Sequence, residues 1–212
     1  DPFHALLRDV PLLRQMIALV QERDPDVIEG HNIFNFDLAY LEKRCKRHHL
    51  KLALGRGNRA VTCRSSRFSA GERIIPYQRY SIYGRHVIDT FHLVMLHDVS
   101  QRDMDSYGLK ATARYFGINS ESRTYVDGAD ITRVFDEDPE RLMAYCLDDV
   151  RETDGISRLL SPSHFYQAQV LPLTYQNCVS RGNATRIDAL LCAEYLQQSY
   201  SLPTPQMAQN FE

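Results

Sequence analysis

The chain has 212 residues, 43% hydrophobic and 25% charged, which is the composition of one ordinary globular domain with room for a sizeable core. No apolar run approaches the roughly 18 residues that cross a bilayer, and the amino-terminal segment, with Asp1, Arg8, Asp9 and Arg14, lacks a signal-peptide pattern. The formal net charge of −2 conceals a division: the stretch from Lys43 to Arg85 carries twelve Lys or Arg and one acid, Glu72, against an excess of acids elsewhere. Five scattered cysteines without a Cys-x-x-Cys pair read as reduced thiols, so a cytoplasmic location and no membrane partner are expected.

In chain order, residues 11 to 23 read as a helix with Pro11 in its first turn and Leu13, Met16, Ile17 and Val20 on one stripe. Asp24-Pro25 stops it, and Val27 to Gly30 form a short buried strand. A second helix fits residues 36 to 48, with Asn35 as its N-cap. Residues 50 to 86 read as a projecting antiparallel hairpin whose tip is Ser69 to Glu72. Val87 to Phe91 is another core strand, followed by helices over 92 to 98 and 106 to 116. The segment 119 to 136 is polar and without a clear period.

Asp138-Pro139-Glu140 opens the strongest helix, with a cap, a first-turn proline and an acid at the positive dipole end. Its apolar face is expected to comprise Leu142, Met143, Cys146, Leu147 and Val150. Beyond Ser161-Pro162-Ser163, helices are expected near 164 to 170 and 187 to 200, and then a tail around Pro203 and Pro205. The order of elements is that of an α/β layered domain.

Two segments place carboxylates where chemistry could use them. In His31-Asn32-Ile33-Phe34-Asn35-Phe36-Asp37 a strand ends and Asp37 enters the first turn of a helix, the edge where α/β sheets bind ligands. In Tyr145-Cys146-Leu147-Asp148-Asp149, Tyr145 and Asp149 share a helix face. Taken separately, each has a plain structural reading as well: Asp37 complements a helix dipole, and the acids 148, 149, 152 and 154 are solvated. The basic stretch likewise fits either a solvated face or a phosphate-binding one, with Phe68, Tyr77, Tyr80 and Tyr83 available to stack on unpaired bases.

Together the segments resemble a known family. Asp24 to Asn32 with Phe36-Asp37-Leu38 and Tyr40-Leu41 resembles the second exonuclease motif of family-B DNA polymerases, and Tyr145-x-x-x-Asp149 resembles the third motif of DEDDy proofreading exonucleases. The sister class carries a histidine where this chain has Ala144. Gly84 to Asp89 and Ser106 to Leu109 are similar to the family's intervening strand and helix, and Arg181 to Asp188 with Leu190-Leu191 to its connection toward a polymerase palm. The first motif, an Asp-x-Glu on an early strand, has no match; Asp138-Pro139-Glu140 sits at the wrong end of the chain.

The resemblance implies a ribonuclease-H-like exonuclease fold with a truncated mixed sheet flanked by helices. Residues 1 to 160 would form the exonuclease domain, with a basic hairpin near DNA at about 50 to 86, and 161 to 212 a helical connector. It implies 3′–5′ exonuclease activity on DNA with a single-stranded or frayed 3′ end, using two Mg²⁺ or Mn²⁺ ions, in a protein that also carries a polymerase domain. Asp37 and Asp149 would be metal ligands, Tyr145 would orient water or the scissile phosphate, and of the DNA-binding residues Asn32 would hold the terminal nucleotide and Phe36 would pack beneath the site. Arg64, Arg67, Arg73 and Arg79 would track the backbone. With one motif missing, weak or absent nuclease activity is expected of these residues alone. An inactive DNA-binding scaffold or a DEDDy ribonuclease are the competing readings.

Overall fold

The computed structural model describes residues 2–120 and 122–202, with side chains from Val10 onward; the expected tail around Pro203 and Pro205 lies outside them. Two strands frame the site. β1 (Val27–Gly30) pairs in parallel with β4 (His86–Asp89), so Gly30 lies opposite Asp89 at the carboxyl edge of both. Ahead of β1 runs α1 (Pro2–Arg23), which extends back beyond the expected start and holds Pro11 in its interior. Leu13 is buried, and Met16, Ile17 and Val20 pack against the same core, as their spacing predicts.

Between β1 and β4 come α2 (Asp37–Arg47) and a hairpin of β2 (Thr62–Ala70) and β3 (Arg73–Ser81). Its turn is Gly71-Glu72, with Gly71 at φ +60°, the glycine-first arrangement that suits a two-residue hairpin. Alternation then sorts the side chains: Phe68, Ala70, Tyr77 and Arg79 face inward, while Cys63, Ser65, Arg67 and Gln78 face water. The inner face docks on the core through Phe68, Ala70, Tyr77 and Arg79, while Arg64 and Arg73 on the same face remain exposed and Tyr80 on the other face is buried. Phe68, Tyr77 and Tyr80, expected to stack on bases, are 1 to 4% exposed. Tyr83 is exposed, with the Arg59 guanidinium 4.1 Å above its ring.

After β4 come α3 (Thr90–Gln101), α4 (Leu109–Tyr115), α5 (Ile131–Glu137) and α6 (Pro139–Leu160). Helix α5 lies in the segment that has no clear period in the sequence. Asp138 caps α6 by accepting a bond from the Arg141 N–H, as its sequence predicts. The face of α6 is another matter. Met143, Leu147 and Val150, expected to be buried, are 68, 47 and 62% exposed, whereas Glu152, Ile156 and Ser157 are buried. The helix is turned so that Asp148, Asp149 and Glu152 face inward, where the buried Arg123 and the Thr124 N–H receive them.

The chain continues through α7 (Pro162–Val170), α8 (Tyr175–Ser180) and α9 (Asn183–Gln197). Tyr175 and Val179 of α8 pack with Ile88 and Leu93, so the core continues past residue 160. Gln176 bridges the two sheets: its amide donates to the Tyr80 carbonyl and accepts from the Val87 N–H.

Candidate nuclease cleft

The loop from β1 to α2 is fixed by one buried acid. Asp89 ends β4 at 1% exposure. Its Oδ1 accepts the N–H of Asn32 at 2.7 Å and of Phe91 at 3.0 Å, and its Oδ2 accepts the N–H of Phe34 at 3.4 Å. Burial pushes its carboxyl up to about 7, against the pull of these donors. Asn32 takes the left-handed conformation at φ +60°, which asparagine tolerates. Gly30 allows the loop to fold back, since a Cβ there would lie 2.8 Å from Ile33 Cβ.

His31 fastens the same loop to the next elements. Its Nε2 donates to the Tyr107 carbonyl at 2.8 Å, because a carbonyl can only accept. Nδ1 is then the acceptor for the Thr90 hydroxyl at 2.9 Å, and burial lowers the imidazole to about 4, consistent with that neutral tautomer. Phe34, 1% exposed, inserts beneath the loop against Tyr77 and His92, and His92 stacks on Phe68 at 3.9 Å. The hairpin aromatics thus support the site from below.

This scaffold delivers Asp37 at the first position of α2. Phe36, not Asn35, occupies the N-cap position and no side chain caps the helix; the Asn35 amide bonds Asn32 Oδ1 instead. Asp37 reaches solvent, yet the atoms packed around it raise its carboxyl above the ordinary range, offset in part by its own N–H.

The opposing wall belongs to α6. Arg123, whose side chain is 1% exposed, donates from Nε to Glu152 Oε1 at 2.5 Å and from Nη2 to Glu152 Oε2 at 2.9 Å. Its Nη2 also pairs with Asp149. The next residue, Thr124, donates its N–H to Asp148 at 2.9 Å. Three acids of α6 thereby hold one loop. Tyr145, one turn before Asp149, lies between the Lys110 ammonium at 4.9 Å and the Arg123 guanidinium at 5.6 Å from its ring centre. Burial and then the Asp149 carboxylate raise its hydroxyl.

Asp37 and Asp149 line one cleft of about 590 Å³, together with Glu29, Phe36, Thr153 and Asp154. Tyr145 and Asn32 are outside that lining. Phe36 is 68% exposed at the wall and does not pack beneath it. Among the described residues, no group of three or more His, Cys, Asp or Glu side chains is placed to hold a metal ion. One of the two aspartates shares the Arg123 guanidinium with Glu152. These residues do not by themselves make a divalent-cation site.

Of the expected DNA contacts on the hairpin, Arg64, Arg67 and Arg73 are exposed, the last lying 3.7 Å from Asp98 and over the Tyr107 ring. Arg79 is 4% exposed and donates to Ser180 and Asn177, so it anchors the hairpin to α8 and is not free to meet a phosphate. Sequence reasoning missed Arg123, Glu152 and the anchoring work of Asp89. The one signal for the first two is the spacing of Asp149 and Glu152, three apart on a helix and hence neighbours awaiting a cation.

Comparison with known proteins shows the family and the fold. Residues 7–112, half of the chain, match the family model for the exonuclease domain of family B DNA polymerases. The DNA polymerase of Archaeoglobus fulgidus is 26% identical over 205 residues, covering 95% of this chain and 24% of that protein. The DNA polymerase delta catalytic subunit of Bos taurus is 30% identical over 207 residues, covering 92% of this chain and 18% of that protein. The structure of the family B DNA polymerase from Pyrobaculum calidifontis superposes with a TM-score of 0.70 at 24% identity, over 93% of this chain and 24% of that one, and shows the common fold. The chain spans a quarter or less of the length of these relatives.

Proposed function

This chain belongs to the exonuclease-domain family of family B DNA polymerases, and on that premise we propose that it carries part of a proofreading site that removes nucleotides from a DNA 3′ end. The observation that supports this reading most is the convergence of Asp37 and Asp149, from distant parts of the chain, on one cleft at the carboxyl edge of β1 and β4. Two carboxylates lining one cleft would be part of the ligand set for the divalent ions that assist phosphodiester hydrolysis. Residues 1–160 would serve as the exonuclease unit and 161–212 as the connector toward a polymerase domain in a longer protein.

The chain's own residues divide the work. Phe36 offers an exposed ring on which a terminal base can stack. Arg123 fixes the orientation of Asp149, and Tyr145, which stands outside the cleft lining beside Asp149, would orient the attacking water or the scissile phosphate from there. Asn32 supports the loop that meets the nucleotide. Arg64, Arg67 and Arg73 lie on the exposed parts of the hairpin where a phosphate backbone can pass. The complete site of this family uses divalent cations, Mg²⁺ or Mn²⁺, as Lewis acids. Because Asp37 and Asp149 do not suffice to hold them, hydrolysis by these residues alone is weak or absent, and DNA binding is the activity they retain.

The test is mononucleotide release from 3′-labelled single-stranded DNA and RNA with Mn²⁺, alongside binding of the same strands at two salt concentrations. We expect salt-sensitive DNA binding, and at most slow release that Asp149→Ala abolishes. Absence of DNA binding, or release indifferent to both Asp37→Ala and Asp149→Ala, overturns the assignment; brisk Asp149-dependent release overturns only the expectation of weakness, and preference for RNA selects the ribonuclease reading.

A further inference from the structure

Most buried guanidiniums in this protein face carboxylates: Arg85 meets Asp24, and Arg123 meets Glu152 and Asp149. Three arginines depart from this. Arg79 is buried, Arg181 and Arg186 are half-buried, and none forms an ion pair with a carboxylate among the described residues. A shielded cation without a counter-charge is costly unless an anion arrives from outside.

Arg181 and Arg186 line a cavity of about 550 Å³ between the hairpin turn, α3, α7 and the start of α9. His97 and His164 line it too, and among the described residues no Asp or Glu does. Arg186 donates to the Cys178 carbonyl and to Asn183 Oδ1, which leaves its Nε shielded from water with no acceptor. His164 Nδ1 is likewise shielded and unpartnered, and both burial and the Arg186 charge lower its affinity for a proton. Leucines 93, 96 and 160 supply an apolar wall. The volume falls within the range of small-molecule sites.

We propose that this cavity binds a phosphate group, either of a free phosphate compound or of a DNA strand passing the hairpin turn. Arg181 and Arg186 line the cavity and supply its positive charge, and the Arg181 guanidinium, which forms no ion pair among the described residues, supplies the donors. The cavity shares no lining residue with the Asp37–Asp149 cleft, so it stands apart from the exonuclease reading and can fail separately.

Titration calorimetry of the full chain with inorganic pyrophosphate tests the free ligand, and anisotropy of a labelled single-stranded oligodeoxynucleotide tests the strand. We expect pyrophosphate binding that Arg181→Gln weakens about tenfold or more and Asp149→Asn leaves unchanged. If the strand is the natural source, Arg181→Gln also reduces oligonucleotide affinity and lowers its salt slope by about 1; an unaltered oligonucleotide curve assigns the cavity to free phosphate compounds. Arg186→Gln, checked for folding by circular dichroism because its partner lies in the protein, should repeat the loss. Wild-type affinities in both assays for the folded Arg181→Gln protein, or no pyrophosphate binding at millimolar concentration, overturn the proposal.

Discussion

On the Asp37 wall of the cleft the buried anchor is a carboxyl group that gathers N–H donors, and on the Asp149 wall it is a guanidinium that gathers acids. Asp89 collects backbone N–H groups from residues 32, 34 and 91, so it fixes the path of the chain whatever side chains those residues bear. Arg123 collects side chains, Glu152 and Asp149, and so depends on two acids being turned inward on α6. The first wall is built into the parallel strands. The second is assembled between a helix and a loop, and it carries a net stake of charge: removing the cation strands a carboxylate that is only 4% exposed.

The largest break in that comparison should come from Arg123→Ala. With Glu152 left buried and unpaired, stability falls by about 3 to 5 kcal/mol, read from the denaturant midpoint. Adding Glu152→Gln should recover a substantial part of the loss, and a double-mutant cycle measures it. Asp89→Ala is next, at about 2 kcal/mol, because its N–H donors lose a strong acceptor but border a cleft that admits water. If Asp89→Ala proved costlier than Arg123→Ala, the ordering of the two walls would be reversed.

Titration sharpens the contrast. A carboxyl raised to about 7 in the folded state favours the protonated form there, so Asp89 contributes most at low pH and loses its contribution as pH rises from about 4 through 7. Asp89→Asn mimics that form, and its stability relative to the parent should rise between pH 5 and pH 8. His31 runs the other way: lowered to about 4, it is stabilising when neutral, and its contribution disappears as pH falls from about 6.5 through 4. Opposite slopes for Asp89→Asn and His31→Gln in unfolding experiments are the expected result; parallel slopes would contradict the assignment of charge states.

The smallest effects concern the hairpin. Arg79→Ala should cost about 1 to 2 kcal/mol, through lost bonds to Ser180 and Asn177. Arg67→Ala should leave the unfolding midpoint unchanged, while weakening single-stranded DNA binding and lowering the salt slope by about 1. Equal DNA-binding losses for the two variants would show that the buried arginine acts on DNA after all.

Much of the site was readable from local chemistry. A strand ending at Gly30 and an acid opening the next helix placed Asp37 at a sheet edge, and the Asp138-Pro139 start set the phase that puts Tyr145 one turn before Asp149. Those inferences need only the chain's neighbours in sequence. Which face of α6 turns inward was misread, since Met143, Leu147 and Val150 look like a buried stripe and are exposed. The aromatics of the hairpin were misread in the opposite sense, because a Tyr or Phe suits a core as readily as a base. Arg123 gave almost no sign, lying in a polar segment without periodicity.

The sequence by itself determined that a strand, a helix and a later capped helix border the cleft, which carboxylates they carry, and that positive charge concentrates between Lys43 and Arg85. Only the tertiary structure decided that Asp89 and Arg123 are the buried anchors, that Arg79 is a strut, and that Arg181 and Arg186 meet in a cavity without an acid. The reason is range. Capping, turns and periodicity act over a few residues, whereas burial of a charge, and the partner that compensates it, is settled by elements dozens of positions apart.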